Sequence, residues 1–189
     1  MSQMGFYFDQ TRCTGCYTCA VACKDWHDVP AGPVNWMRIK AIEDGKFPNL
    51  FLAYLASPCY QCANPPCALA CPAKAITKRE SDGIVVVDRE KCLGNKECRT
   101  LCLNSCPWDA PQFGPESGAK MQKCDLCLER WQKGQPPICV EACPMYALDF
   151  GPMDELRKKY GDIAGAEGFH YSARFKPAAV FKPKWRPGK

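Results

Sequence analysis

The sequence predicts an α+β protein of short strands and short helices joined by long loops, built as two similar halves with one inserted into the other. Three observations predict it. The 189 residues contain 16 cysteines, which fall into four groups of four with none left over. Groups two, three and four each end in Cys-Pro, where proline turns the chain away and presents no N–H. Short stretches rich in β-branched and aromatic residues flank the groups and recur in the same order around each pair of groups.

In chain order, "FYFD" (6–9) alternates as a strand and leads into group one, "CTGCYTCAVAC", with Cys13, Cys16, Cys19 and Cys23. Residues 24–58 read as a connecting loop, and "LFLAYLA" (50–56) inside it as a buried strand. Group two, "CYQCANPPCALACP", supplies Cys59, Cys62, Cys67 and Cys71. It is followed by "AITKRE", the turn "SDG" and the strand "GIVVVD", which runs into group three. Group three, "CLGNKECRTLCLNSCP", supplies Cys92, Cys98, Cys102 and Cys106. A second connecting loop (108–123) leads to group four, with Cys124, Cys127, Cys139 and Cys143, and then to the strand "ALDFG". "PMDELRKKYG" reads as a short helix, with Asp154 as its cap and Gly161 as its stop. The tail 171–189 carries Pro177, Pro183 and Pro187 among lysines and aromatics, so it is expected to lie extended on a partner. Strand, cysteine run, Cys-Pro and strand is the layout of a two-cluster bacterial ferredoxin, and here it occurs twice. The expected organisation is two nested bacterial-ferredoxin-like modules. The outer one spans 1–58 plus 108–170 and carries groups one and four; the inserted one spans 59–107 and carries groups two and three.

Composition sets several classes aside. "MSQMGFYFDQTRC" has no basic start, apolar run or small-residue cleavage site, so no secretory signal is expected. Neighbouring thiols close loops too small to staple much, which disfavours a disulfide framework. No run approaches the ~18 apolar residues of a membrane span, so no direct span is expected. The formal charge of +5 counts every thiol as neutral. Four clusters of about −2 each would bring the total to about −3, so a nucleic-acid partner is not expected. There is no phosphate loop, no Ser-His-Asp set and no paired carboxylate, hence no catalytic residue.

A cubane cluster needs four thiolates from four directions. Three close cysteines can hold three irons, and the fourth iron needs a distant ligand, which in ferredoxins is the last cysteine of the other run. Zinc also uses C-x2-C pairs, but it has no use for a third close cysteine such as Cys19 beside Cys13 and Cys16. Iron bound through all sixteen cysteines is therefore the favoured chemistry, with a zinc-stabilised interaction module as the rival from another class.

The stretches "CTGCYTCAVACKDW", "CANPPCALACPAKAITKRESDGIVVVD", "CPWDAPQF", "KCDLCLERWQKGQPPICVEACP" and "ALDFGPMDELRKKYGD" resemble the iron–sulfur electron-transfer subunits (the B subunits) of the dimethyl sulfoxide reductase family. Relatives of that family include polysulfide, thiosulfate and nitrite reductase iron–sulfur subunits. The resemblance runs from about residue 6 to residue 162. It implies four 4Fe–4S clusters, bound crosswise in pairs. Carried over, cluster one takes Cys13, Cys16, Cys19 and Cys143, and cluster two takes Cys59, Cys62, Cys67 and Cys106. Cluster four takes Cys124, Cys127, Cys139 and Cys23, and cluster three takes Cys71 with three cysteines of group three. The resemblance also implies a large catalytic partner with a molybdenum or tungsten bis-pterin cofactor, and a membrane quinone-linked anchor or another carrier as the second electron partner. A polyferredoxin, either free or serving a soluble tungsten aldehyde oxidoreductase, is the alternative. Formate dehydrogenase relatives carry a C-terminal membrane helix that the sequence does not show, which favours the dimethyl sulfoxide reductase branch. The family's B subunits travel folded with a twin-arginine-tagged partner, so both the outer face of the cytoplasmic membrane and the cytoplasm fit.

Group three departs from the family spacing by four extra residues, about one helical turn. The expectation is that Cys92, Cys98 and Cys102 hold cluster three with Cys71, while Cys106 crosses to cluster two. The rival is a three-iron centre or a contact from Asn95. Either way the potential of that centre should differ. His27 and His170 read as packing or surface residues, Trp26, Trp36, Trp108 and Trp131 as shields of the clusters from water, and "RKK" (157–159) as a solvated helix face.

Overall fold

The computed structural model describes residues 2–186, and the expectation for Pro187 lies outside them. The fold is mixed α+β, with three small sheets and six short helices among these residues. The strands are β1 (Met4–Asp9), β2 (Arg38–Lys46), β3 (Asn49–Ser57), β4 (Ile76–Lys78), β5 (Val85–Val87), β6 (Leu148–Pro152) and β7 (Ala179–Lys182). The helices are α1 (Thr18–Trp26), α2 (Pro66–Leu69), α3 (Leu101–Asn104), α4 (Leu128–Trp131), α5 (Ile138–Glu141) and α6 (Met153–Tyr160).

The first sheet has the order β6-β1-β7. β1 pairs antiparallel with β6, from Met4 opposite Pro152 to Phe8 opposite Leu148. The period of two places Phe6 and Phe8 in the main core with Leu148 and Phe181, and Tyr7 in a smaller core under α6. There Tyr7 stacks on Tyr160 with centroids 3.6 Å apart, and Tyr160 donates a 2.6 Å hydrogen bond to Asp149. β4 and β5 pair antiparallel, Ile76 opposite Val87, as the two flanking stretches of the inner groups predict. Their apolar face meets Cys67, Cys92, Cys102 and Met121 in a second core.

Four expectations are corrected. Residues 24–58 are not loop throughout, because β2 and β3, nine residues each, form a hairpin in full register. Nor is "LFLAYLA" buried on both faces. Phe51, Ala53 and Leu55 point inward while Leu50 and Leu52 are 68% and 40% exposed, since a two-stranded ribbon has a single covered face. The tail does not lie free for a partner: β7 adds to β1 in parallel, from Phe6 opposite Ala179 to Asp9 opposite Lys182. Pro177 and Pro183 flank this strand rather than interrupt it. Finally, Pro152 holds the N-cap position of α6 and Asp154 makes no capping bond. Asp154 instead places a carboxylate in the first turn, where the helix dipole favours it. Gly161 ends the helix at φ 86°, as expected.

Candidate metal centres

The third cysteine of every group is the second residue of a helix: Cys19 in α1, Cys67 in α2, Cys102 in α3 and Cys139 in α5. The fourth follows one turn later. α1 packs against α5 and α2 against α3, so each helix presents its cysteines to those of a partner group. All sixteen thiols are free.

Cys13, Cys16, Cys19 and Cys143 line one cavity, with Phe8, Ile39 and Leu148 as apolar walls. Gly15 lets the first loop turn at φ 69°, and a Cβ there would meet the Tyr54 ring at 2.4 Å. Cys71, Cys92, Cys98 and Cys102 line a second cavity, with Ile76, Phe113 and Met121. The other eight thiols fall into two sets by mutual influence. Burial, then Cys59, Cys106 and Cys67, raise the Cys62 thiol. Burial, then Cys23, Cys127 and Cys139, raise Cys124 well above the ordinary range. In the two cavities burial and the set partners push Cys19 and Cys102 up to about 12.

The sets also adjoin one another. Cys23 and Cys139 both feel Cys19, Cys124 feels Cys59, and Cys67 feels Cys102. Neighbouring thiols thus join the Cys13 set to the Cys124 set, that set to the Cys59 set, and the Cys59 set to the Cys92 set. Crowded thiols, most of them buried and only Cys16 exposed, do not all ionise together without a cation among them. Iron–sulfur clusters, which spread their ligands around a cube, suit such sets.

One signal was missed at the sequence level. After the fourth cysteine, groups two, three and four read C-P-x-x-A: "CPAKA", "CPWDA" and "CPMYA". In each, the residue before the alanine is left-handed: Lys74, Asp109 and Tyr146, at φ 50°, 50° and 49°. Each alanine amide then donates to the cysteine sulfur, Ala75 to Cys71 at 3.3 Å, Ala110 to Cys106 at 3.5 Å and Ala147 to Cys143 at 3.3 Å. Such donors stabilise thiolates and tune the centres they hold. Group one lacks the motif because Cys23 continues inside α1. Its i+4 residue, His27, instead brings Nε2 within 3.3 Å of Cys127 Sγ while packing on Trp36. His170 is exposed. Of the tryptophans, Trp108 is buried in the aromatic core with Tyr60 and Phe169. Trp36 is held by a 3.0 Å bond to Gln122. Trp26 is 44% exposed, beneath Arg130, and so shields little.

The extra residues of group three dock elsewhere. Asn95 donates to Glu116 O at 3.0 Å and accepts from Gly118 N at 2.9 Å, so its side chain is taken up by the 116–119 loop. Met121 N donates to Cys92 Sγ at 3.4 Å, tying the same loop to the first thiol of the group.

No helix among the described residues is long and apolar enough to cross a membrane. The family model for a 4Fe-4S dicluster domain matches residues 50–153. The protein is 45% identical over 190 residues to the B subunit of anaerobic dimethyl sulfoxide reductase from Escherichia coli (strain K12), covering 96% of this chain and 89% of that one. It is 44% identical over 192 residues to its counterpart in Haemophilus influenzae, covering 97% and 90%. It is 40% identical over 134 residues to the formate dehydrogenase iron-sulfur subunit of Wolinella succinogenes, covering 67% and 61%. Cavities lined by four cysteines, amide donors aimed at sulfur and full-length likeness agree: this iron–sulfur protein belongs to the family of anaerobic dimethyl sulfoxide reductase B subunits.

Proposed function

We propose that the chain is the electron wire of an oxidoreductase complex, with four 4Fe–4S clusters in two nested ferredoxin-like modules. The outer module (1–58 plus 108–170) holds two through Cys13, Cys16, Cys19 and Cys143, and through Cys124, Cys127, Cys139 and Cys23. The inserted module (59–107) holds two through Cys59, Cys62, Cys67 and Cys106, and through Cys92, Cys98, Cys102 and Cys71. When bound, each cluster would supply one-electron chemistry. The chain's own residues fix the order of the centres, exclude water with apolar walls, and donate amide hydrogen bonds to sulfur.

The observation that carries this reading is the crosswise convergence, in which Cys143 lines the Cys13 cavity and Cys71 lines the Cys92 cavity. The succession of neighbouring sets supports a relay with two ends, one for a large molybdenum- or tungsten-pterin catalytic subunit and one for a membrane anchor or another carrier. The names of the relatives, subunits of dimethyl sulfoxide reductase and formate dehydrogenase, support such a catalytic partner. The complex then works at the cytoplasmic membrane, on its outer face if a twin-arginine-tagged partner carries the chain across. Iron and sulfide analysis of anaerobically purified protein should give about sixteen irons per chain, four per cluster. Twelve or fewer would overturn the four-cubane reading.

A further inference from the structure

Lys123 is buried, with 3% of its surface exposed. It differs from the other buried cation, Arg130, which pairs with Glu141. Among the described residues no carboxylate lies within ion-pair distance of the Lys123 ammonium. Nζ donates to the carbonyl of Val85 on β5 and, at 3.0 Å, to that of Cys124. Gln61, which is fully buried, closes the same joint from the other side. It donates to Cys124 O at 3.0 Å and accepts from Val85 N at 2.8 Å. The joint therefore links the inner hairpin, group two and group four. Lys123 immediately precedes Cys124, and Gln61 lies between Cys59 and Cys62, so the ammonium sits where groups two and four meet.

A buried cation is tolerated where anions surround it, and here the candidates are the cysteines of two neighbouring sets. We infer that Lys123 is a potential-setting residue at the middle of the wire, a fixed positive charge shared by the Cys59 set and the Cys124 set that makes both centres easier to reduce than they would otherwise be. The inference rests on the four-cluster reading. Adding an electron to a centre with four thiolates builds negative charge in a low-dielectric interior, and a cation held there offsets it. Because the charge lies between two sets, it acts on both together and levels the step by which an electron crosses from one module to the other. Lys123 touches neither end of the line, so the end centres should not share the effect.

The test is potentiometric titration of the complex, followed by electron paramagnetic resonance, with Lys123→Met and Lys123→Arg. Signals perturbed by Cys59→Ser and Cys124→Ser identify the two central centres. Lys123→Met should keep its iron and lower both central midpoints by at least tenfold in the reduction equilibrium, about 59 mV for one electron. The end midpoints should stay in place, and Lys123→Arg should retain the wild-type values. Full iron with unchanged central midpoints, or an equal shift at all centres, overturns the inference. If Lys123→Met loses iron, Lys123→Gln serves instead. Its amide keeps a donor for the Cys124 carbonyl without the charge, so it should lower the same two midpoints, and no shift there overturns the proposal. A low iron count in the wild-type chain would instead defeat the four-cluster reading, which separates the two failures.

Discussion

The loops of groups one and three start from the same plan and solve it differently. From first to third cysteine, group one takes six steps (Cys13 to Cys19) and group three ten (Cys92 to Cys102). Both deliver the third thiol as the second residue of a helix. Group one enters its helix through a single left-handed residue, Tyr17 at φ 62°. Group three needs two, Arg99 and Thr100 at φ 49° and 53°. Its remaining extra residues are carried outward to Asn95 and the 116–119 loop. A cavity lined by four cysteines survives in both places. Ligand geometry is thus held by the helix entry and the crossing cysteine, while the length of chain between the first two thiols is free to vary if the surplus finds a partner.

The sharpest test of that comparison is removal of iron. Metal binding of this kind contributes on the order of 10 kcal/mol per site, so the chelated protein should lose most of its protection. The inner region should go first, because β4 and β5 are three-residue strands resting on a cysteine-rich core. The β6-β1-β7 sheet has its own apolar face of Phe6, Phe8 and Phe181. Hydrogen exchange of iron-depleted protein should show 59–107 exposed before 4–9 and 148–152, and uniform loss would break the distinction. Next in size, Cys98→Ser and Cys16→Ser should each cost one iron and leave a three-iron paramagnetic signal in oxidised protein. An unchanged signal for Cys98→Ser alone would mean that the longer loop does not present that thiol.

Glycine replacements come third. A Cβ at Gly15 meets a tyrosine ring that can swing, whereas one at Gly94 (φ 89°) meets the Gly118 carbonyl at 2.5 Å. Each should cost about 1–3 kcal/mol. Gly94→Ala should cost more, read as the temperature at which cluster absorbance is lost. The smallest effect is Asn95→Ala, about 1 kcal/mol for two solvent-accessible hydrogen bonds, with iron content and paramagnetic spectra unchanged. A spectral change would make Asn95 a ligand and restore the rival reading of group three.

The parts legible in the sequence are those whose cause is local. Tyr7 between Phe6 and Phe8, and the valines before Cys92, announce strands by alternation and branching. The cysteine spacing announces the four groups. The β2–β3 hairpin was hidden because Leu50 and Leu52 are as apolar as Phe51 and Leu55, so the row reads as buried on both sides when only one is. The β7 strand was hidden because prolines argued for irregular chain, although Pro177 and Pro183 stand outside the four paired residues. Lys123 gave no signal, since nothing but tertiary packing distinguishes a buried lysine from an exposed one. The C-P-x-x-A repeat was present in three copies, and it acquires meaning only with the left-handed residue and the sulfur contact beside it.

The Cys13 cavity takes its fourth wall thiol from Cys143, and β1 gains its parallel neighbour from residues 179–182. On the ribosome, at about 5–20 residues per second, the first three thiols emerge roughly ten seconds before the fourth exists. Through that interval they stand bare, open to oxidants and to stray metals. The inner groups, Cys59 to Cys106, are completed much sooner after they begin. On the proposed four-cluster reading the outer centres would be the last to be filled and the first to suffer when translation stalls, so that delayed delivery of inorganic cargo would be a requirement written into the connectivity of the fold.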